Sequence, residues 1–257
     1  MRPIGASFKA LQKELHALSN SRLAMRHISD LFILSVTLRL PAMEHLCDII
    51  RQSKTLATLD VSRNSIGAND ASTLAEAIKQ SKSLTEVNLS DNNIRDEGAY
   101  AIAEAIKQSK SLSSVILSHN AIGDKGVAAL SKAIQQSNLL TTVHLGYNSI
   151  GAEGATAIAE AIKQSKQLTS VNLRVNSIRA EGATAIAEAI KQSESLTMLD
   201  LSWNAIGDYG AVAIAEAINQ NKSLTKVELV WNGIFAEGIA AIVETRKANP
   251  TVAIVIS

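Results

Sequence analysis

At 257 residues, 25 Lys and Arg balance 24 Asp and Glu, and a formal net charge of +1 gives no global pull towards nucleic acid or acidic membranes, so neither is expected as a partner. The single cysteine, Cys47, excludes an intramolecular disulfide and points to a reducing, cytoplasmic setting. No secretory signal or membrane span is visible, because the longest charge-free apolar run near the start, LFILSVTL, stops at Arg39 and is too short to cross a bilayer.

The first predicted element is a helix over residues 7–18, whose Phe8, Leu11, Leu15 and Leu18 share one stripe suited to capping a core. Ile28, Leu31, Ile33, Leu38, Leu46, Ile49 and Ile50 then mark a degenerate unit, with Val36 where later units carry Asn. Cys47 falls in this unit and reads as packing, not as a nucleophile. Residues 1–55 are thus expected to form an N-terminal cap.

From residue 56 to 251 the sequence repeats every 28 residues without insertion or deletion, in seven units opened by Leu56, Leu84, Leu112, Leu140, Leu168, Leu196 and Leu224. Counting that leucine as offset zero, apolar residues follow at offsets three and five, Asn at eight and Ile at ten. The first half alternates: Leu140, Val143 and Leu145 point one way and Thr142, His144 and Gly146 the other, as in a strand with one buried face. The second half places Ala155, Ile158, Ala159 and Ile162 on one helical stripe, with Thr156, Glu160 and Lys163 opposite. Gly98, Gly126, Gly154, Gly182, Gly210 and Gly238 suit a tight turn at the helix start where backbones approach closely, and Asp70 in the first unit predicts a different start there. The recurrent Asn64, Asn92, Asn120, Asn148, Asn176, Asn204 and Asn232 read as structural, because an amide both donates to and accepts from backbone groups that have left the ladder.

One such unit cannot bury enough apolar surface to fold alone, so the units must stack into a solenoid, strands lining the concave wall and helices the convex one. At its far end Arg246 replaces the Ile of the six preceding helices, Asn249-Pro250 breaks the last helix, and residues 252–257 supply a capping strand. The whole is one continuous domain. A monomer is expected, with weak dimerisation open to the bare edge of that strand.

The pattern LxxLxLxxNxIGxxGAxAIAEAI resembles the ribonuclease-inhibitor type of leucine-rich repeat over residues 56–251, about three quarters of the chain. The resemblance implies a right-handed α/β horseshoe with a parallel concave sheet that binds other proteins. Ribonuclease binding is not carried over, because the mammalian inhibitor is cysteine-rich and mixes repeat lengths. Uniform repeats with near-identical AIAEAIKQS copies are more similar to stand-alone repeat proteins of intracellular bacteria, which implies an effector delivered into the cytoplasm of a host cell.

Recognition is expected where the units differ on the strand side. Offset seven reads Arg63, Asp91, His119, Tyr147, Val175, Trp203, Trp231, beginning polar and ending aromatic, and it carries both tryptophans of the chain. Tyr147, Trp203 and Trp231 are the expected anchor for a partner. Val175, Arg174, His144, Asp200, Glu228 and Val230 complete the candidate surface. The inner wall carries Arg63, Arg174 and Lys226 against Asp60, Glu86, Asp91, Asp200 and Glu228, so it suits a protein presenting Lys or Arg around an apolar centre.

No catalytic residue, metal or cofactor is expected. Asp200 and Glu228 are adjacent carboxylates, but an open wall excludes water poorly. His119 and His144 are too loosely spaced to share a metal. No GxSxG, HExxH, GxxxxGK or CxxC occurs. The reading is a non-enzymatic module that binds another protein; the alternative is a scaffold that self-associates through the terminal strand.

Overall fold

The computed structural model describes residues 13–17, 20, 28–33 and 42–256. In chain order the elements are β1 (Asp30–Phe32), α1 (Ala42–Gln52), β2 (Thr58–Asp60), α2 (Ala68–Gln80), β3 (Glu86–Asn88), α3 (Arg95–Gln108), β4 (Ser114–Ile116), α4 (Asp124–Gln136), β5 (Thr142–His144), α5 (Ala152–Gln164), β6 (Ser170–Asn172), α6 (Arg179–Gln192), β7 (Met198–Asp200), α7 (Gly207–Gln220), β8 (Lys226–Glu228), α8 (Ala236–Ala248) and β9 (Ala253–Val255). The strands form one parallel sheet in sequence order from β1 to β9. Each pairs with the next at the 28-residue period, as in Val143↔Val171, until the last step, where Val227↔Ile254 is one residue short. Strands lie about 4.8 Å apart and packed helices about 8–10 Å apart, so the stack bends with the sheet inside and the helices outside. The expected α/β solenoid is the fold, and its core is one apolar slab between the two layers.

Every coil closes by side-chain bonds to backbone that recur with the period. Asn120 donates from Nδ2 to the Leu117 and Ser118 carbonyls of its own unit and to Leu89 of the preceding one, at 3.2, 3.0 and 2.9 Å. Asn148 Oδ1 accepts the N–H groups of Asn120 and Ile122 in the preceding unit, each at 3.0 Å. The structural role expected of these amides is what they perform. Where helices α1 to α6 end, a Ser takes over, and Asn221 does so after α7: Ser165 Oγ accepts the N–H groups of Gln167 and of Leu168, which opens the next unit.

After the first unit, the N–H at offset eleven, just before or at the helix start, is satisfied in one of two ways. Where the preceding unit supplies Asp at offset twelve, that carboxylate accepts it: Asp96 from Gly123 at 2.7 Å, Asp124 from Gly151 at 2.7 Å, Asp208 from Phe235 at 2.6 Å. In these units offset eleven keeps a negative φ, and Gly123 and Gly151 are extended. Where the preceding unit supplies Ala68, Ala152 or Ala180 instead, Arg95, Arg179 and Gly207 turn left-handed, with φ of 56°, 59° and 65°, and donate to the Asn carbonyl of the following unit. One side chain thus decides the backbone conformation of its neighbour in the stack.

The repeated glycine lies inside the first helical turn and not in a turn ahead of it. Its reason is close helix approach, since a Cβ on Gly182 would meet that of Ala155 at 2.7 Å. Asp70, which stands in its place in the first unit, accepts the Gly67 N–H of its own helix, so that start does differ.

At the N-terminal end, residues 13–17 are helical, Leu15 is buried, and the His16 ring meets His45 of α1 with centroids 4.7 Å apart. Leu31, Ile33, Leu46, Ile49 and Ile50 are buried as expected; Phe8, Leu11, Leu18, Val36 and Leu38 lie outside the described residues. Cys47 is buried, and burial pushes its thiol up to about 11, which keeps it from acting as a thiolate near neutral pH. At the other end Arg246 donates through Nε to the Ile254 carbonyl at 3.1 Å. That guanidinium occupies an acceptor on the outer edge of β9.

Candidate partner-binding surface

Two rows of side chains on the strand side carry most of the candidate residues. Offset four closes the strand and holds Asp60, Asn88, Ile116, His144, Asn172, Asp200 and Glu228, paired in register from one strand to the next. Its Asx members are partly committed to their own turn: Asp200 Oδ1 accepts the Ser202 N–H at 2.9 Å, and Asn172 does the same for Arg174. Asp200 therefore has a structural duty beside any recognition role. Glu228 is bound by Lys226 at 2.6 Å on the same strand, and that hydrogen bond raises the lysine pKa. His144 is half-buried, and loss of water lowers its pKa against the pull of Asp200 and Glu86. His144, Asp200, Lys226 and Glu228 surround a small hollow together with Met198, an exposed offset-two residue that sequence reasoning passed over.

Offset seven lies beyond the strand, in a turn where all seven residues are left-handed, from Arg63 at φ 59° to Trp231 at φ 56°. In the first six units its N–H still donates to the offset-six carbonyl of the next unit, as Tyr147 does to Arg174 at 2.7 Å and Trp203 to Val230 at 2.8 Å. The ladder thus continues past the strand and spaces these side chains as evenly as the sheet does. The left-handed backbone was not foreseen, because Arg, Tyr, Val and Trp do not mark such a turn, and the Asp and His that tolerate it stand in one unit each.

Contacts run along this row. Arg63 pairs with Asp91 at 3.4 Å, His119 approaches Asp91 at 3.9 Å, and the His119 and Tyr147 rings stack with centroids 5.7 Å apart. Tyr147 beside the Arg174 guanidinium raises the arginine pKa further, with Asp200 and Glu228 adding in the same sense. Val175 separates this polar-aromatic half from a second stack, Trp203 on Trp231, at 5.0 Å between centroids and 28° between planes. Both indoles remain open to solvent, 44 % and 68 % exposed, as does Tyr147 at 46 %. With Asn176, Ala205 and Asn232 the two indoles border an open hollow of about 450 Å³. The structure therefore brings Tyr147, Arg174, Val175, Trp203, Val230 and Trp231 onto one rim, and sets His144, Asp200 and Glu228 on the strand floor beside it. Among the described residues no group of three or more His, Cys, Asp or Glu side chains could hold a metal ion.

The family model described as Leucine Rich repeat matches residues 52–75, 80–103, 108–131, 136–159, 164–187, 192–215 and 220–243. The chain belongs to the leucine-rich repeat family. Repeats of this family generally mediate protein–protein interaction and are typically non-enzymatic. No curated protein sequence matches this leucine-rich repeat chain. Among solved structures, the leiomodin-1 actin-binding site 2 is similar to 58 % of it over 87 % of its own length, at 23 % identity and a TM-score of 0.50, which shows a shared fold. The tropomodulin C-terminal domain of Caenorhabditis elegans aligns with 70 % of the chain over 93 % of its own, at 17 % identity and a TM-score of 0.46.

Proposed function

We propose that this leucine-rich repeat protein binds a partner protein along the rim and floor of its concave face, with Trp203 and Trp231 as the anchor. The observation that carries this reading is the stacked indole pair: two large aromatic side chains, 44 % and 68 % exposed, each on a left-handed turn, with the Trp203 backbone hydrogen-bonded to the next unit. Holding them in place beforehand lowers the ordering cost of binding, and Trp and Tyr dominate interface hot spots. Asp200 and Glu228 on the adjoining floor favour a partner that brings Lys or Arg next to an apolar centre.

The ribonuclease-inhibitor type is the subtype we assign to the repeat, supported by its 28-residue length and the full helix in every unit. The setting we infer is the cytoplasm of a host cell, with the protein acting as a bacterial effector. Its support is the uniform, near-identical repeat and the single buried cysteine. Self-association by strand pairing at β9 is the weaker reading, because Arg246 already occupies the Ile254 carbonyl and the strand is three residues long.

The test is capture from host-cell lysate with the wild type and with Trp203→Ala/Trp231→Ala, followed by affinity measurement on the captured protein. The double variant is expected to unfold at the wild-type temperature and to bind at least about 2 kcal/mol more weakly. Equal affinity in a folded double variant removes the indole pair as the anchor.

A further inference from the structure

The last helix carries a second apolar surface that partner binding on the concave face does not use. In α2 to α7 the residues at offsets fifteen, nineteen and twenty-two are covered by the next helix: Ala183, Ala187 and Ile190 of α6, for example, are at most 1 % exposed. In α8 these positions are Ile239, Val243 and Arg246, and no helix lies over them among the described residues. A terminal repeat is expected to turn this face polar. Instead, two of its small residues become larger and apolar, leaving Ile239 42 % and Val243 38 % exposed. Phe235, one turn earlier on the same stripe, is 69 % exposed.

Phe235, Ile239, Val243 and Lys247 follow one another at four-residue spacing and form a ridge. Beside it run Ala236 and Ala240, both exposed and small, which form a groove. A ridge next to a groove on one helix is complementary to the same pair on an antiparallel copy. The charges reverse along the helix as well, with Glu237 in the first turn and Arg246 and Lys247 in the last. Antiparallel pairing sets unlike charges and opposed helix dipoles side by side.

We propose that α8 is a self-association surface, on which a second copy of this chain packs its own α8 antiparallel about a two-fold axis near Ala240. Ile239 then meets Val243 of the second copy, and Phe235 lies along the stem of Lys247. With three large apolar side chains from each copy, the contact is small for a stable interface and the dimer is concentration-dependent.

Sedimentation of the full chain over a concentration series tests this. The mass is expected to rise from 27.3 kDa towards twice that value as concentration increases. Ile239→Asp/Val243→Asp, with an unchanged circular dichroism spectrum, is expected to stay monomeric throughout. Ala240→Cys is expected to form a disulfide-linked dimer on mild oxidation, since Cys47 is buried. Trp203→Ala/Trp231→Ala is expected to dimerise like the wild type, which separates this surface from the concave one. A wild type that remains monomeric at about millimolar concentration, where even weak contacts register, overturns the proposal. So does a dimer that survives the double aspartate change, fails to cross-link through Ala240→Cys, or disappears with the tryptophans.

Discussion

Val175 sits at φ 53° between the two aromatic stacks, in the left-handed region where a β-branched side chain crowds its own backbone. Asn tolerates that region, so Val175→Asn is expected to raise stability by about 1 kcal/mol in urea titration. If the rim is the binding surface, the same variant binds more weakly, a trade of stability against function. His144 makes stability depend on pH with a definite sign. Burial lowers its native pKa, so on acidification the unfolded chain takes up its proton first, from about pH 6.5 downwards. The stability His144 contributes above that pH is lost as the pH falls towards its native pKa, and His144→Gln is expected to flatten the slope in thermal melts between pH 7 and pH 5, about the range in which histidines titrate. At this scale the sequence was half legible. The duty of each Asn could be read because its amide must both donate and accept, whereas the Asx turn of Asp200 looked the same as a free carboxylate.

The helix starts show one element setting the conformation of the next. Removing Asp124 leaves the Gly151 N–H without its acceptor, and Gly can turn left-handed to find the neighbouring Asn carbonyl, as Gly207 does. Removing Asp208 leaves the Phe235 N–H without that recourse, since Phe235 resists a left-handed turn and no Asn carbonyl of a following unit stands beside it among the described residues. Asp208→Ala is therefore expected to destabilise by about 1–2 kcal/mol more than Asp124→Ala in paired chemical unfolding curves. The Asp or Ala at offset twelve and the Gly, Arg or Phe at offset eleven are plain in the sequence. Their coupling was not, because it passes between units and local propensity does not report it. Strand and helix as such were legible from the change of apolar period within each unit, while the strands proved only three residues long and handed their outer row to the turn.

For the molecule as a whole, the 28-residue period fixed the sheet order, the register and the side available to a partner. Because each unit touches mainly its neighbours, deleting residues 140–167 is expected to leave a folded, less stable protein, whereas deleting half that span should abolish cooperative unfolding. Calorimetry distinguishes the two. The likeness of the copies also has a cost in folding. Residues 154–165 and 182–193 share the sequence GATAIAEAIKQS, so a coil docked one full unit out of place makes almost the contacts of the native one. What discriminates is the irregular residues: the Asp70 carboxylate at one helix start, the Asp or Ala that dictates each junction, and the Arg246 clasp on β9. These departures act as the teeth of a key, letting a chain of near-identical parts settle into a single alignment.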